Sequence, residues 1–577
     1  MRALLIYLKN YKKETVLAPL FKLLEASFEL IVPLVMAAVI DVGIKNQDKR
    51  YIAGMCLILV ALGIIGLVCS ITAQYFAAKA AAGFAAELRH ALFWHIQNFT
   101  YRQMDAVGTS TLITRMTSDI NQVQAGVNLV LRLFLRSPFI VFGAMVMAFA
   151  VDVRAAWVFV VAIPLLSAVV FGIMLVTMPL YKKVQTYLDQ ILLSTRENLA
   201  GARVLRAFNK EEDEKEKFRS GNERLTQAQK FVGRISGLMN PVTYVIVNGA
   251  LIVLIYIGAI RVNIGALTQG EVVALLNYMS QILVELIKLA NLIITVTKAV
   301  ACGNRVGEIL KERCMVKSGE SVWEDTTEAP AVEFRHVSLA YGKDARDSLS
   351  GITFAVEKGQ TVGIIGGTGS GKSSLVNLIP RFYDATGGEV LINGKNVSDY
   401  PVDVLRSRIG VVLQKAVLFK GTIMENIRWG KEDATKEEIE EALTVAQAWE
   451  FVERKEGKLQ FYIEQNGRNL SGGQRQRLTI ARALVKKPEI LILDDSASAL
   501  DYATDAALRK AIAQMRQKTT VFIVSQRAAA IRDADQIIVL DNGKMAGRGT
   551  HSELLESCPV YREIYDSQYA KGGADGR

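Results

Sequence analysis

Six long apolar segments before about residue 300 constrain this chain more than any other feature of its sequence. A helix needs about 20 mostly apolar residues to cross a bilayer. We therefore predict six membrane-spanning helices, at about 16–44, 52–82, 127–151, 155–180, 241–264 and 272–300. They lie within a predicted transmembrane domain, residues 15–316. A short basic amphipathic segment, residues 1–14, precedes it and is expected to lie on the inner membrane surface.

The net charge of +11 raises the question of a nucleic-acid partner. The positive residues do not form a basic patch studded with aromatic side chains, so we expect no nucleic-acid partner. Basic loops are retained in the cytoplasm, where they lie next to anionic lipid. Many positive residues indeed lie in the long link between the fourth and fifth spans: Lys182, Lys183, Arg196, Arg203, Arg206, Lys210, Lys215 and Lys217. The charge therefore indicates a multi-pass protein of the cytoplasmic membrane, with membrane lipid as a partner.

The composition changes after the sixth span. Residues 317–331 are rich in Gly, Glu, Asp, Thr and Pro and are predicted to be a linker. In residues 332–570, short β-rich runs alternate with amphipathic helices, which predicts an α/β domain with a mainly parallel sheet in the cytoplasm. The expected strands are Val332–Val337, Thr361–Ile365, Gly410–Leu413, Ile490–Leu493, Thr520–Val524 and Gln536–Leu540. Residues 571–577 are left as a tail.

A glycine-rich loop follows the apolar run Thr361–Ile365 and precedes a predicted helix. Its sequence matches G-x4-G-K-[ST] in full and has the strand–loop–helix context that this motif requires. Such a loop points backbone N–H groups and a helix N-terminus at phosphate. Lys372 is expected to reach the β- and γ-phosphates, and Ser373 is expected to hold Mg²⁺. The candidate nucleotide-binding residues here are Gly366, Thr368, Gly369, Ser370, Gly371, Lys372, Ser373 and Ser374.

A second acidic motif ends the strand Ile490–Leu493. Asp494 and Asp495 follow four apolar residues directly, which is the Walker B arrangement. Together with the phosphate loop upstream, this pattern predicts that Asp494 holds Mg²⁺. Asp495 then stands where a general base would act.

A third motif, Leu470-Ser471-Gly472-Gly473-Gln474, precedes Walker B and opens a helix. It resembles the signature motif of ABC ATPases, and six spans followed by such a domain resemble the layout of an ABC exporter half-transporter. The resemblance covers essentially the whole chain. It implies the type I exporter fold with an ABC ATPase domain, ATP and Mg²⁺ as cofactors, and export of an amphipathic drug, lipid or peptide.

The resemblance also implies roles for single residues. Tyr341 resembles the aromatic that stacks on adenine, and Gln414 resembles the glutamine that senses Mg²⁺ and the membrane domain. Ser498-Ala499-Leu500-Asp501 resembles the D-loop. In the family, two such domains enclose two ATP molecules, each between one subunit's Walker motifs and the other's signature. Ser471, Gly472, Gly473 and Gln474 are therefore expected to complete the site of a partner half-transporter, and Asp501 of the D-loop is a further candidate nucleotide-binding residue.

Two positions depart from the family pattern. Asp495 stands where Glu is usual, and Gln526 stands where the switch histidine is usual. A milder departure is Ile463-Glu464-Gln465-Asn466-Gly467, which concerns the contact with the cytoplasmic loops. A shorter acid and a residue without a titratable proton beside an intact signature resemble the degenerate subunit of a bacterial heterodimeric multidrug-type exporter. Two alternatives remain open: an active homodimeric exporter, and a nucleotide-gated regulatory or channel-like subunit with little hydrolysis.

Charged residues within the spans are candidates for function. Glu25 and Glu29 share one helix face and either attract a cationic cargo or pair with Lys22. Arg132 and Arg136 suit an interfacial anchor. Glu285 and Lys288 lie one turn apart and are expected to neutralise each other, and the family resemblance implies that they face a central cavity. Nothing in the sequence names the cargo.

Overall fold

The computed structural model describes residues 2–312, 319–324, 329–342, 346–515 and 519–569. Of the expected linker, residues 317, 318 and 325–328 lie outside this part of the chain, and so does the tail 571–577. The chain divides into two compact units, one formed by Met1–Gln97 with Gly108–Arg313, the other by Asn98–Val107 with Cys314–Arg577.

The first unit is helical. It begins with a 3-10 helix, Arg2–Tyr11, and contains π-helical turns at Val39–Ile44 and Arg115–Asp119 between its α-helices. In chain order the helices up to residue 311 are α1 (Lys12–Ala38), α2 (Lys49–Gln97), α3 (Tyr101–Val107), α4 (Thr109–Thr114), α5 (Ile120–Leu133), α6 (Arg136–Val151), α7 (Val153–Ala200), α8 (Ala202–Ala207), α9 (Glu211–Gly237), α10 (Met239–Asn263) and α11 (Gln269–Lys311). Of these, α3 belongs to the second unit.

Among the described residues, six helical segments are long and apolar enough to cross a membrane. They are Ala3–Ile44, Lys49–Gln97, Thr109–Val151, Val153–Ala200, Glu211–Asn263 and Gln269–Lys311. Each segment extends beyond the corresponding predicted span at one end or both, because the polar residues next to the span continue the helix. The third predicted span, 127–151, contains a break that periodicity did not show, since a turn at residues 134 and 135 separates α5 from α6.

Side-chain caps fix the short connections between spans. Asp152 caps α7 by accepting the N–H of Ala155 at 2.8 Å, and it also pairs with Arg261 of α10. Thr268 and Glu271 form a capping box at the start of α11. These caps satisfy N–H groups that a helix start leaves without partners, so they fix where each helix begins.

Charged side chains inside the first unit pair with one another. Arg136 donates to Glu285 Oε1 and to Glu29 Oε2, each at 2.6 Å. Glu285 also accepts from Lys288 at 2.8 Å and from Ser137 at 2.7 Å. Arg136 is only 7% exposed, so the expectation of an interfacial anchor is wrong for this residue. Its carboxylate partners offset the cost of burying the guanidinium.

The remaining pair expected from the sequence is also formed. Lys22 donates to Glu25 at 2.5 Å and to the hydroxyl of Ser70 in α2 at 3.0 Å. Glu285 and Lys288 also form the ion pair that the sequence predicts. Glu29 differs from the other carboxylates, because its side chain is 41% exposed.

The second unit contains two main sheets in its described part. Its strands are β1 (Val332–Leu339), β2 (Leu349–Val356), β3 (Thr361–Gly366), β4 (Gly387–Ile392), β5 (Lys395–Asn396), β6 (Ile409–Val412), β7 (Gly421–Thr422), β8 (Tyr462–Ile463), β9 (Ile490–Asp494), β10 (Thr520–Val524), β11 (Gln536–Asp541) and β12 (Lys544–Gly549). The larger sheet has the order β12-β11-β3-β10-β9-β6, in which only β12 is antiparallel to its neighbour. The smaller sheet, β2-β1-β4-β5, is antiparallel.

The expectation of a mainly parallel sheet holds for five of the six predicted strands. It is wrong for Val332–Val337, which lies in the antiparallel sheet and pairs with β2 and β4. Besides α3, the described α-helices of this unit are α12 (Lys372–Leu378), α13 (Val402–Arg408), α14 (Ile423–Arg428), α15 (Lys436–Val445), α16 (Trp449–Glu453), α17 (Gly472–Leu484), α18 (Tyr502–Ala513), α19 (Ala528–Ile531), α20 (His551–Ser557) and α21 (Pro559–Tyr569).

Candidate functional site

The phosphate-loop motif lies between a buried strand and a helix N-terminus. All six residues of β3 are buried, and the loop turns into α12 at Gly371. Gly371 has φ +98°, a conformation that L side chains rarely adopt. A Cβ at Gly366 would lie 2.1 Å from the carbonyl oxygen of Leu540. Glycine at these two positions is therefore required by the backbone path of the loop.

Lys372 lies inside this loop. Its ammonium donates to the carbonyl oxygens of Gly366 and Gly367 at 2.9 and 2.7 Å, and Ser370 Oγ is 3.4 Å away. Burial lowers the pKa of Lys372, while the carboxylates of Walker B act in the opposite direction. A buried ammonium with carbonyl partners is a strong donor for an anion that replaces those carbonyls.

The residues expected to hold Mg²⁺ meet at the end of β9. Ser373 Oγ donates to Asp494 Oδ1 at 3.1 Å, and burial raises the pKa of the Asp494 carboxyl. Among the described residues, no group of three or more His, Cys, Asp or Glu side chains is arranged to hold a metal. One carboxylate and one hydroxyl nevertheless suit Mg²⁺, which usually retains waters and uses substrate phosphates as further ligands. Bound there, the ion would neutralise phosphate charge.

Asp495 occupies the next position, with an unusual backbone. Its φ is +46°, and its N–H donates to the carbonyl of Val524 at 3.0 Å. Its Oδ2 lies 3.4 Å from Gln414 Nε2, a long hydrogen bond. The structure thus brings Asp495, the second acid of Walker B, next to Gln414, for which the family resemblance implies a role in sensing Mg²⁺.

One cavity of about 230 Å³ gathers most of the predicted nucleotide-site residues. Its lining is Ser348, Thr368, Gly369, Gly371, Lys372, Ser373, Ser374, Gln414, Asp494, Asp495, Val524, Ser525 and Gln526. Gly366 and Ser370 of the loop are not among these lining residues, but both contact the ammonium of Lys372. Residues separated by more than 150 positions in the sequence therefore share one pocket.

The signature segment is absent from that lining. Ser471 caps the 13-residue helix α17, where it forms a capping box with Gln474, and Ser471 and Gly472 are exposed. Gly473 lies against Ala499, since a Cβ there would be 3.1 Å from the carbonyl oxygen of that residue. The segment is therefore an exposed helix N-terminus, which is suited to phosphate.

Asp501 is outside the pocket lining as well. It caps α18 by accepting the N–H of Thr504 at 2.9 Å, and this bond is the main cause that lowers the pKa of Asp501.

Tyr341 contacts the helix α12 through its hydroxyl, which donates to Ser374 Oγ at 2.9 Å. The residue is 39% exposed. Tyr383 packs edge-on against the ring of Tyr341, with centroids 5.0 Å apart, and donates its hydroxyl to Asp105 at 2.6 Å. Sequence reasoning missed Tyr383 and Asp105. The only available signal was an aromatic pair shortly after the phosphate-loop helix.

The helix α3 contributes Asp105 to this unit, together with Tyr101, which stacks on Phe382 at 4.4 Å. Within the second unit, α3 thus places Asp105 against Tyr383, whose ring packs on that of Tyr341.

Comparisons with known proteins agree with this architecture. Residues 15–286 match the ABC transporter transmembrane region, and residues 349–498 match the ABC transporter family. The chain is 35% identical, over 100% of both chains, to a Bacillus subtilis protein named as the uncharacterized ABC transporter ATP-binding protein YfiB. It is 30% identical to the ATP-dependent lipid A-core flippase of Chromobacterium violaceum, over 100% of this chain and 98% of the relative.

A solved structure of a bacterial Atm1-family ABC exporter with ATP bound has the same fold. The TM-score is 0.80 at 24% identity, and the match covers 98% of this chain and 99% of that one. The chain therefore belongs to the ABC transporter family. It carries a multi-pass transmembrane region and an ABC ATPase domain in one polypeptide.

Proposed function

We propose that this chain is one half of a heterodimeric ATP-driven exporter in the cytoplasmic membrane, with its ATPase domain in the cytoplasm. Its own nucleotide site binds ATP and Mg²⁺ but turns over slowly. One observation carries the proposal: Lys372, Asp494, Asp495 and Gln526 line one pocket, and the signature segment of the same chain does not.

Slow turnover follows from the reach of Asp495. Its side chain is one carbon–carbon bond shorter than Glu, a loss of about 1.5 Å of reach. A general base must lie within about 2.6–3.2 Å of the proton it takes. The backbone cannot advance to compensate, because the N–H of Asp495 is held by Val524 and its φ is already in the left-handed region.

Gln526 favours binding over hydrolysis. It lines the pocket and can donate a hydrogen bond to a terminal phosphate. It carries neither a titratable proton nor a positive charge, so it offers less stabilisation to the charge that develops when the phosphate is transferred.

The exposed N-terminus of α17 supports a role toward a partner. Ser471 and Gly472 are accessible, and the capping box holds the first turn of the helix in place. A second half-transporter with a complete Walker B and switch set would place its ATP against this segment.

The cargo is proposed to be an amphipathic drug, lipid or peptide. A lipid is compatible with the relative that is named a lipid A-core flippase. Within the first unit, both oxygens of Glu285 already have partners, which favours a structural role for this residue. Glu29 is the more exposed acid and is the better candidate to meet a cationic cargo.

The test compares the purified chain alone with the chain copurified with its neighbouring half-transporter. Alone, we expect weak ATP hydrolysis that Asp495→Asn does not change. In the assembled transporter, Ser471→Arg should abolish most hydrolysis, whereas the matched variant Asp495→Asn should retain it.

Brisk hydrolysis by the chain alone that is lost in Asp495→Asn would overturn the proposal in favour of an active homodimer. ATP binding without ATP-dependent accumulation of cargo in vesicles containing both subunits would favour a regulatory or channel-like subunit.

A further inference from the structure

The helix α21 packs against elements that flank the nucleotide site. Tyr561 is fully buried in a cluster with Ile365 of β3 and with Ala528 and Ile531 of α19. The strand β3 leads into the phosphate loop, and α19 begins two residues after Gln526. The helix is therefore anchored to two elements that flank nucleotide-site residues.

Gln568, near the end of α21, forms hydrogen bonds with the backbone of residues 526–528, which we call the switch segment. Its Nε2 donates to the carbonyl oxygen of Gln526 at 2.7 Å, and its Oε1 accepts the N–H of Ala528 at 2.9 Å. The two bonds bracket Arg527, whose backbone is extended, with φ −97° and ψ 119°. One side-chain amide thus pairs with this segment as a neighbouring strand would.

Two further contacts hold the same segment. The N–H of Arg527 donates to Ser525 Oγ at 2.9 Å, and its guanidinium lies 5.5 Å from the ring centroid of Tyr502. Tyr502 opens α18 directly after Asp501. The Gln568 amide is the contact that binds the segment on both sides of Arg527.

We infer that Gln568 is a positioning residue for the nucleotide site, since its amide fixes the backbone from which the Gln526 side chain projects into the pocket. The inference deepens the proposed function, on which its kinetic test rests, whereas the bond geometry does not depend on it. Loss of the Gln568 amide alone would release the switch segment while Tyr561 stays packed on β3.

The direct test is hydrogen exchange of the full chain in detergent. In Gln568→Ala, the amide of Ala528 should exchange about tenfold faster, because one hydrogen bond is worth about that factor. The amides of β3 should not change. The matched control Glu563→Gln, at an exposed position of the same helix, should leave Ala528 unaffected.

A second variant guards against local unfolding. Gln568→Glu retains the acceptor for the N–H of Ala528 but places a carboxylate against the carbonyl of Gln526. Ala528 should remain protected, while the donor bond to Gln526 is lost. Unchanged exchange at Ala528 in Gln568→Ala, or loss of protection throughout α21 in both variants, would overturn the inference.

The kinetic test uses the assembled transporter in an Asp495→Glu, Gln526→His background, in which the proposed function predicts faster hydrolysis at this site. Adding Gln568→Ala should lower kcat about fivefold to tenfold while KM for ATP stays within about twofold, because the switch residue acts on the transferred phosphate. An unchanged kcat, or an equal change in kcat and KM, would contradict a positioning role. A background with no gain in hydrolysis would instead count against the proposed function, and the exchange result would still decide the inference.

Discussion

The charged cluster around Arg136 and the nucleotide pocket around Lys372 both gather buried charges, but they differ in what is left without a protein partner. In the membrane unit, Arg136 and Glu285 contact each other and further side chains, so the cluster neutralises itself. In the described part of the pocket, Lys372 donates to neutral oxygens, and the Asp494 carboxylate accepts from the hydroxyl of Ser373. The first arrangement stabilises a fold, whereas the second leaves charge available for a ligand.

The largest effect is expected for Arg136→Ala. It removes the buried cation from the Glu285 carboxylate and leaves only the half-exposed Lys288 as its charged partner, which costs about 3–5 kcal/mol of unfolding free energy. Thermal unfolding in detergent measures the loss. Lys288→Ala is the matched control and should cost less, because Lys288 is 41% exposed.

The double variant Arg136→Met, Glu285→Met should recover part of that stability, since an apolar pair of similar volume avoids burying charge. Equal destabilisation by Arg136→Ala and Lys288→Ala would show that the cluster does not act as a buried network.

Lys372→Ala should act on ligand binding instead of on folding. Loss of a charged hydrogen bond to phosphate is worth about 1.5–3 kcal/mol, or about 10- to 100-fold in ATP affinity. A fluorescent ATP analogue measures the affinity, and the exposed Lys544→Ala serves as a control of equal charge change. A large drop in the free energy of unfolding with unchanged affinity for ATP would show that Lys372 stabilises the fold and does not bind the ligand.

Tyr341→Ala should have the smallest effect, about tenfold in affinity for ATP, because stacking of a base on an aromatic ring contributes about 1–3 kcal/mol. Tyr341→Phe retains the ring and loses only the hydrogen bond to Ser374, so it should bind nearly as well as the unmodified chain. If the two variants weaken binding equally, the hydroxyl and not the ring makes the important contact.

The same contrast explains how much of the molecule could be predicted from its sequence. The phosphate loop, Walker B and the signature are local patterns with required flanking elements, so their helices and strands were predictable. Arg136 was misassigned because its partners Glu29 and Glu285 lie more than 100 residues away in the chain. Pairing across such distances has no signature in a single sequence.

Strand pairing was only partly visible. Val332–Val337 alternates apolar and polar residues, whereas the parallel strands are nearly continuous apolar runs, and this alternation is typical of an antiparallel sheet with one exposed face. Its partners β2 and β4 are shown by the structure alone. The positive φ of Asp495 and the grip of Gln568 on the switch segment also depend on tertiary contacts. The sequence indicated which residue types stand at the site, whereas their freedom to move depends on the fold.

The most direct test of the account is hydrolysis at this chain's own site after the two unusual residues are replaced. In the assembled transporter, the phosphate-loop lysine of the partner is changed to Ala, so that only the site formed by Lys372 and Asp494 can turn over. Asp495→Glu with Gln526→His should then raise ATP hydrolysis at least about tenfold, because a base in reach contributes about 10²–10⁴ to such a reaction. Equal hydrolysis before and after the double replacement would contradict the claim that these two residues keep the site slow.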